Sequence, residues 1–124
     1  MRTNIKGTNI ELTVAITNYV EQRLLTLDRF LKQHGDEVVC QIEVGKTTQH
    51  HKHGDFFRAE MNLKLKGGTL RAVAEKDDLY AAIDQVKDEM ERQLTQGKEK
   101  RISLVRRGAK RIKDMVKGLY PGGN

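Results

Sequence analysis

Residues 57–74 leave little choice of backbone conformation. Phe57, Ala59, Met61, Leu63 and Leu65 alternate with Arg58, Glu60, Asn62 and Lys64. Only an extended strand, whose side chains point to opposite faces in turn, puts all five apolar groups on one side. Gly67-Gly68 follows, a pair that tolerates positive φ and reads as a two-residue hairpin turn. Leu70, Ala72 and Ala74 then alternate with Arg71, Val73 and Glu75 in a return strand. The result is a hairpin with one greasy and one polar face, and the greasy face needs a cover.

Two amphipathic segments can supply it. Leu79, Ile83, Val86, Met90 and Leu94 recur at three- and four-residue steps and form one stripe of a helix. Asp77 and Asp78 suit its start, where a side-chain oxygen and negative charge meet free backbone N–H groups. Asp88 and Arg92 form an i,i+4 pair on its wet side. In the first half of the chain, Thr13 is the expected N-cap of a second helix. Its buried stripe is Ile16, Val20, Leu24, Leu27 and Leu31, widened by Tyr19 and Phe30, and Gly35 is its stop. Between the helices, Val38, Cys40, Ile42 and Val44 alternate with Gln41 and Glu43 as a strand. A polar loop over 45–55 then holds three histidines. The opening segment with Ile5, Gly7, Ile10 and Leu12 reads as a further strand.

The order is β-α-β-β-β-α, an α+β two-layer sandwich with a four-stranded mixed sheet and two helices on one face. The first connection passes through a helix, so strands one and two are expected to be parallel neighbours and the others antiparallel. At 124 residues the chain is one domain by length. No apolar run approaches a membrane span, and the N-terminus lacks a signal-peptide apolar region. The lone Cys40 excludes an internal disulfide and suits a reducing cytoplasm.

The net charge of +6 is unevenly placed. Residues 1–96 carry 14 Lys/Arg against 15 Asp/Glu, whereas residues 97–124 carry 9 against 2. The excess belongs to the tail, which points to an anionic partner, nucleic acid before membrane lipid. The expected division is a folded domain over 1–97 and a basic tail over 98–124, partly helical or disordered.

At this point several runs resemble one family. They are Ile5-Lys6-Gly7-Thr8-Asn9-Ile10-Glu11-Leu12-Thr13, the helix from Tyr19-Val20 through Leu27 and Phe30, and above all Asp78-Leu79-Tyr80-Ala81-Ala82-Ile83-Asp84 with Arg92-Gln93-Leu94 and Lys98-Glu99-Lys100. Over about residues 3–101 the chain is similar to the bacterial ribosome hibernation-promoting factors, also called ribosome-associated inhibitors, ribosomal subunit interface proteins or sigma-54 modulation proteins. The resemblance implies the same fold, which is also like that of double-stranded RNA-binding domains. It further implies binding to the small ribosomal subunit in the channel used by mRNA and tRNA, and inhibition of translation in stress or stationary phase. Such a protein works by occlusion in the cytoplasm, without catalysis, cofactor, metal or small-molecule substrate, and with no membrane partner.

Carried over by position, Arg23, Arg29, Lys87, Arg92, Lys98 and Lys100 are the expected contacts to ribosomal RNA. Thr26 and Gln96 stand where family members often have a basic residue. The long family form carries a separate C-terminal dimerisation domain; this chain is expected to lack it, and the free protein to be monomeric. The outward sheet positions carry almost no aromatics, which argues against base stacking on the sheet. RNA contacts are therefore expected from helices, loops and tail.

In the tail, Ile102, Val105, Ala109, Ile112, Val116 and Leu119 recur at helical steps. Arg101, Arg106, Arg107, Lys110 and Arg111 lie around them and are further candidates for RNA phosphates. Alternatives for this segment are a solubilising tail, self-association along the apolar seam, or a membrane-surface helix. His50, His51 and His53 lack Cys partners and zinc-finger spacing, so a solvated loop is expected over a metal site. Cys40 reads as a buried small hydrophobe, and Tyr80 as a ring packed between helix and sheet. Two other functions fit the same pattern: a stand-alone double-stranded RNA binder, or a protein-interaction regulator of transcription. No P-loop, nucleophile elbow or metal framework marks an enzyme.

Overall fold

The structure is a computed structural model that describes residues 1–32, 37–47 and 56–96. Its elements are β1 (Arg2–Thr8), α1 (Val14–Leu25), α2 (Asp28–Leu31), β2 (Val39–Thr47), β3 (Phe56–Leu65) and β4 (Gly68–Lys76). A last helix, α3, covers residues 79–96. Two compact units divide the chain, Met1–Gln93 and Leu94–Asn124. Of the second unit, only residues 94–96 at the end of α3 are described.

The sheet has the order β1-β2-β3-β4. The pair β1·β2 is parallel, and β2·β3 and β3·β4 are antiparallel, as the helical first connection requires. Cys40, Ile42 and Val44 of β2 register with Leu63, Met61 and Ala59 of β3, and Met61 and Ala59 with Ala72 and Ala74 of β4. All of these are buried, together with Ile16, Val20, Leu24, Leu27 and Leu31 from α1 and α2 and Leu79, Ala82, Ile83, Val86 and Met90 from α3. The core is thus the apolar layer between helices and sheet, and no polar or charged residue among the described ones is buried.

Both helix starts follow the sequence. Thr13 Oγ1 accepts from the Ile16 N–H at 3.2 Å, and Asp78 Oδ2 accepts from the Ala81 N–H at 3.2 Å. The first helix, however, is not continuous to Leu31. Thr26 is the C-cap of α1, its hydroxyl donating to the Arg23 carbonyl at 2.7 Å. The Thr26 and Leu27 N–H groups reach back only three residues, to Arg23 and Leu24. A threonine hydroxyl competing for a helical carbonyl disturbs the i→i−4 ladder. The apolar spacing survives the break, so the stripe stays buried. The expected stop at Gly35 lies outside the described residues.

Three strand boundaries also differ from expectation. Strand β1 ends at Thr8, because Asn9 adopts φ 59°, so Ile10 and Leu12 lie beyond the strand. Strand β2 runs on through Gly45 to Thr47, taking three residues from the expected polar loop. The hairpin closes on the pair Leu65↔Gly68, so its two turn residues are Lys66 and Gly67. Gly68, at φ 148°, supplies the conformation that other residues avoid.

Candidate nucleic-acid interface

Four of the sequence-predicted RNA contacts lie on the helices, and each is held by carboxylates. Arg23 Nε donates to Asp84 Oδ1 at 2.7 Å, joining α1 to α3. The Tyr19 hydroxyl donates to the same carboxylate, at 2.7 Å from Oδ1 and 2.8 Å from Oδ2. It accepts from Arg23 Nη2 at 3.0 Å. The hydrogen bonds to Tyr19 and Asp84 raise the Arg23 pKa further above its ordinary value. Arg29, 71% exposed, reaches Glu91 at 3.3 Å and lies over the Phe30 ring at 4.7 Å. Lys87 is only 16% exposed and bridges Asp88 at 2.6 Å and Glu91 at 3.2 Å. These partners, Asp88 first, hold its pKa above the usual lysine value. Arg92 Nε donates to Glu89 at 2.9 Å, so the expected i,i+4 pairing with Asp88 gives way to an i,i+3 pair. Arg92 and Gln93 pull the Glu89 carboxyl down to about 2.

Tyr80 differs from expectation. Its ring is not clamped between helix and sheet: it meets Tyr19 edge to face, centroids 4.7 Å apart, and stays 38% exposed. Such pairs favour the positive ring edge against the negative ring face. Tyr19, Tyr80, Arg23 and Asp84 thus form a cluster at the seam of α1 and α3. Helical spacing could have announced Lys87–Glu91 at i,i+4 and Glu89–Arg92 at i,i+3, but not the pairs of Arg23 and Arg29, whose partners Asp84 and Glu91 lie about 60 positions away.

The helix-bearing segments are acidic overall. Residues 11–32 and 77–93 carry five Lys/Arg and nine Asp/Glu. The described sheet-bearing segments, 1–10, 37–47 and 56–76, carry eight against four. On the outer sheet face the strand register makes successive rows: Arg2–Val39–Lys64–Thr69, Asn4–Gln41–Asn62–Arg71, Lys6–Glu43–Glu60–Val73 and Thr8–Gly45–Arg58–Glu75. Glu43 and Glu60 face one another, and like charges so placed repel. Lys6 relieves Glu43 at 3.6 Å, and Arg71 and Arg58 both reach Glu60. The Arg71 hydrogen bond, aided by Arg58, holds the Glu60 carboxyl below its usual range.

A family model described as "Sigma 54 modulation protein / S30EA ribosomal protein" matches residues 3–102. The chain belongs to this family. A ribosome hibernation promoting factor from Klebsiella oxytoca is 37% identical over 100 residues, spanning 81% of this chain and 96% of that protein. One from Pseudomonas putida is 35% identical over 112 residues, 90% of this chain and all of the relative. Among solved structures, the N-terminal domain of Thermus thermophilus Protein Y superposes with a TM-score of 0.63 at 35% identity, covering 77% of this chain and 98% of that one. The S30EA family fold is therefore the one the sequence pattern implies.

In this S30EA-family chain the remaining expected contacts, Lys98, Lys100, Arg101, Arg106, Arg107, Lys110 and Arg111, lie outside the described residues. So do the loop histidines and the apolar stripe of the tail. Among the described residues no cluster of three or more His, Cys, Asp or Glu could hold a metal ion. No described helix is long and apolar enough to cross a membrane. Cys40 is fully buried, and burial pushes its thiol up to about 12, which removes it as a nucleophile near neutral pH.

Proposed function

We propose that the chain is a ribosome hibernation factor that binds the small ribosomal subunit in the mRNA/tRNA channel and inhibits translation under stress or in stationary phase. The observation that carries this reading is the extent of the family match. It runs over residues 3–102, and the hibernation promoting factors of Klebsiella oxytoca and Pseudomonas putida are spanned over 96% and 100% of their length. The domain acts by shape, as a rigid two-layer body that excludes other occupants, and its partner is the subunit's RNA. Its free form is a cytoplasmic monomer with no catalytic role. The basic segment over 98–124, with Lys98, Lys100, Arg101, Arg106, Arg107, Lys110 and Arg111, supplies much of the attraction to phosphates. Arg23, Arg29, Lys87 and Arg92 contribute where RNA competes with their carboxylate partners.

The test is sedimentation of the purified chain with small subunits and whole ribosomes, paired with translation of a natural message in a reconstituted system. Co-sedimentation and a dose-dependent loss of initiation are expected. Recovery of the protein only in ribosome-free fractions, with initiation unaffected, overturns the reading. Equal affinity for an isolated RNA duplex marks instead a stand-alone double-stranded RNA binder.

A further inference from the structure

The helices carry the acidic side of the described domain, and the cations on them are largely spent on internal ion pairs. The opposite layer differs. Arg2 and Lys64 lie in one row of the uncovered sheet face, with β2 between them, about 10 Å apart by strand spacing. Lys66 sits in the adjoining turn. All three are exposed, and none has a carboxylate partner among the described residues. The next row holds three amides side by side, Asn4, Gln41 and Asn62, ending in Arg71. An open groove of about 320 Å³ starts at these amides and runs on to the row of Lys6, Glu43 and Glu60, so only its amide edge belongs to the hairpin end.

We propose that the hairpin end of this outer sheet face is a contact surface for single-stranded RNA. Arg2, Lys64 and Lys66 meet phosphates, and the amides of Asn4, Gln41 and Asn62 meet ribose hydroxyls and base edges. Two arguments favour this occupant. The hairpin end of the face presents Arg2, Lys64 and Lys66 without counter-charges, which suits a polyanion. Carboxamides both donate and accept, as sugar hydroxyls and the edges of unstacked bases require. A bilayer surface would call for an apolar wedge, whereas only Val39, Val73 and Phe56 are apolar on the outer rows. The carboxylates Glu43, Glu60 and Glu75 lie in the rows away from the turn and set the limit of the site. The absence of stacking aromatics makes this a phosphate and amide surface, unlike an aromatic RNA-binding sheet. This inference rests on the ribosomal reading for its natural RNA, and its test is independent of that reading.

The full chain is titrated with a fluorescent uridine 12-mer across a salt series, as wild type, as the triple variant R2Q/K64Q/K66Q, and as K32Q, which changes a cation on the helical side. The triple variant is expected to reduce the steepness of log K against log[salt] by about 2, from three lost phosphate contacts at ~0.7 each. K32Q leaves it unchanged. In wild type, the side-chain NH₂ resonances of Asn4, Gln41 and Asn62 shift on adding RNA, a readout that needs no variant to fold. An unchanged slope with unmoved amide resonances overturns the proposal, and so does selective loss of binding to phosphatidylglycerol vesicles in the triple variant. If wild type and triple variant sediment equally with small subunits and bind the 12-mer alike, this surface fails and the hibernation reading stands. If wild type ignores ribosomes but the 12-mer results hold, the reverse is true.

Discussion

A methyl group at Gly45 would stand 2.5 Å from the Thr8 carbonyl oxygen, closer than packed atoms allow. Only hydrogen lets the end of β1 lie against β2 here. Gly45→Ala should cost about 1–3 kcal/mol, as for other overpacked sites, seen as a lower urea midpoint with an unchanged m-value. Cys40 makes the complementary point about chemistry. Its thiol, buried and pushed up to about 12, should resist iodoacetamide in the folded chain at neutral pH and react once the chain is unfolded. Glu89 sets an acid limit. The Arg92 and Gln93 hydrogen bonds hold its carboxyl down at about 2 in the folded chain, against about 4.3 when unfolded. Its contribution is therefore complete above the unfolded value and is lost as pH falls through the folded one. Glu89→Gln should flatten the pH dependence of the urea midpoint between about pH 5 and pH 2.

At the scale of elements, the stripe of α3 was plain in the sequence because one period places Leu79, Ile83, Val86 and Met90 on one side, and all four are buried. Met90→Ala should destabilise by roughly 2–5 kcal/mol, and Thr13→Ala, which removes the α1 cap, by roughly 1 kcal/mol, both read from denaturant unfolding. The hairpin turn was legible only in part. Placing it at Lys66-Gly67 or at Gly67-Gly68 shifts the pairing by two residues, which leaves every side chain on its own face. Alternation therefore cannot distinguish the two. The break at Thr26 was hidden for a similar reason: a local loss of hydrogen bonding does not disturb the apolar spacing that announces a helix.

For the whole molecule, charge is divided into an acidic helical side, a basic sheet side and a basic segment after residue 97, with 9 Lys/Arg against 2 Asp/Glu. If about five of those cations neutralise RNA phosphates, they add roughly −3.5 to −4.5 to the slope of log affinity against log[salt]. Deleting residues 102–124 should weaken ribosome binding and flatten that dependence; an unchanged slope would remove phosphate binding from the tail's role.

By itself the sequence determined the element order, the faces that are buried and the two helix caps, since all follow from spacing between near neighbours. It also carried the resemblance to the S30EA family, through runs such as Asp78–Asp84. The tertiary structure decided which charges are spent. Asp84 meets Arg23, and Glu91 meets Arg29, across about 60 residues of chain. Only folding reveals that Arg23 and Arg29 are paired with carboxylates on α3 while Arg2, Lys64 and Lys66 stand exposed on the sheet side. Coulomb attraction depends on distance in space, and a linear sequence does not contain that distance.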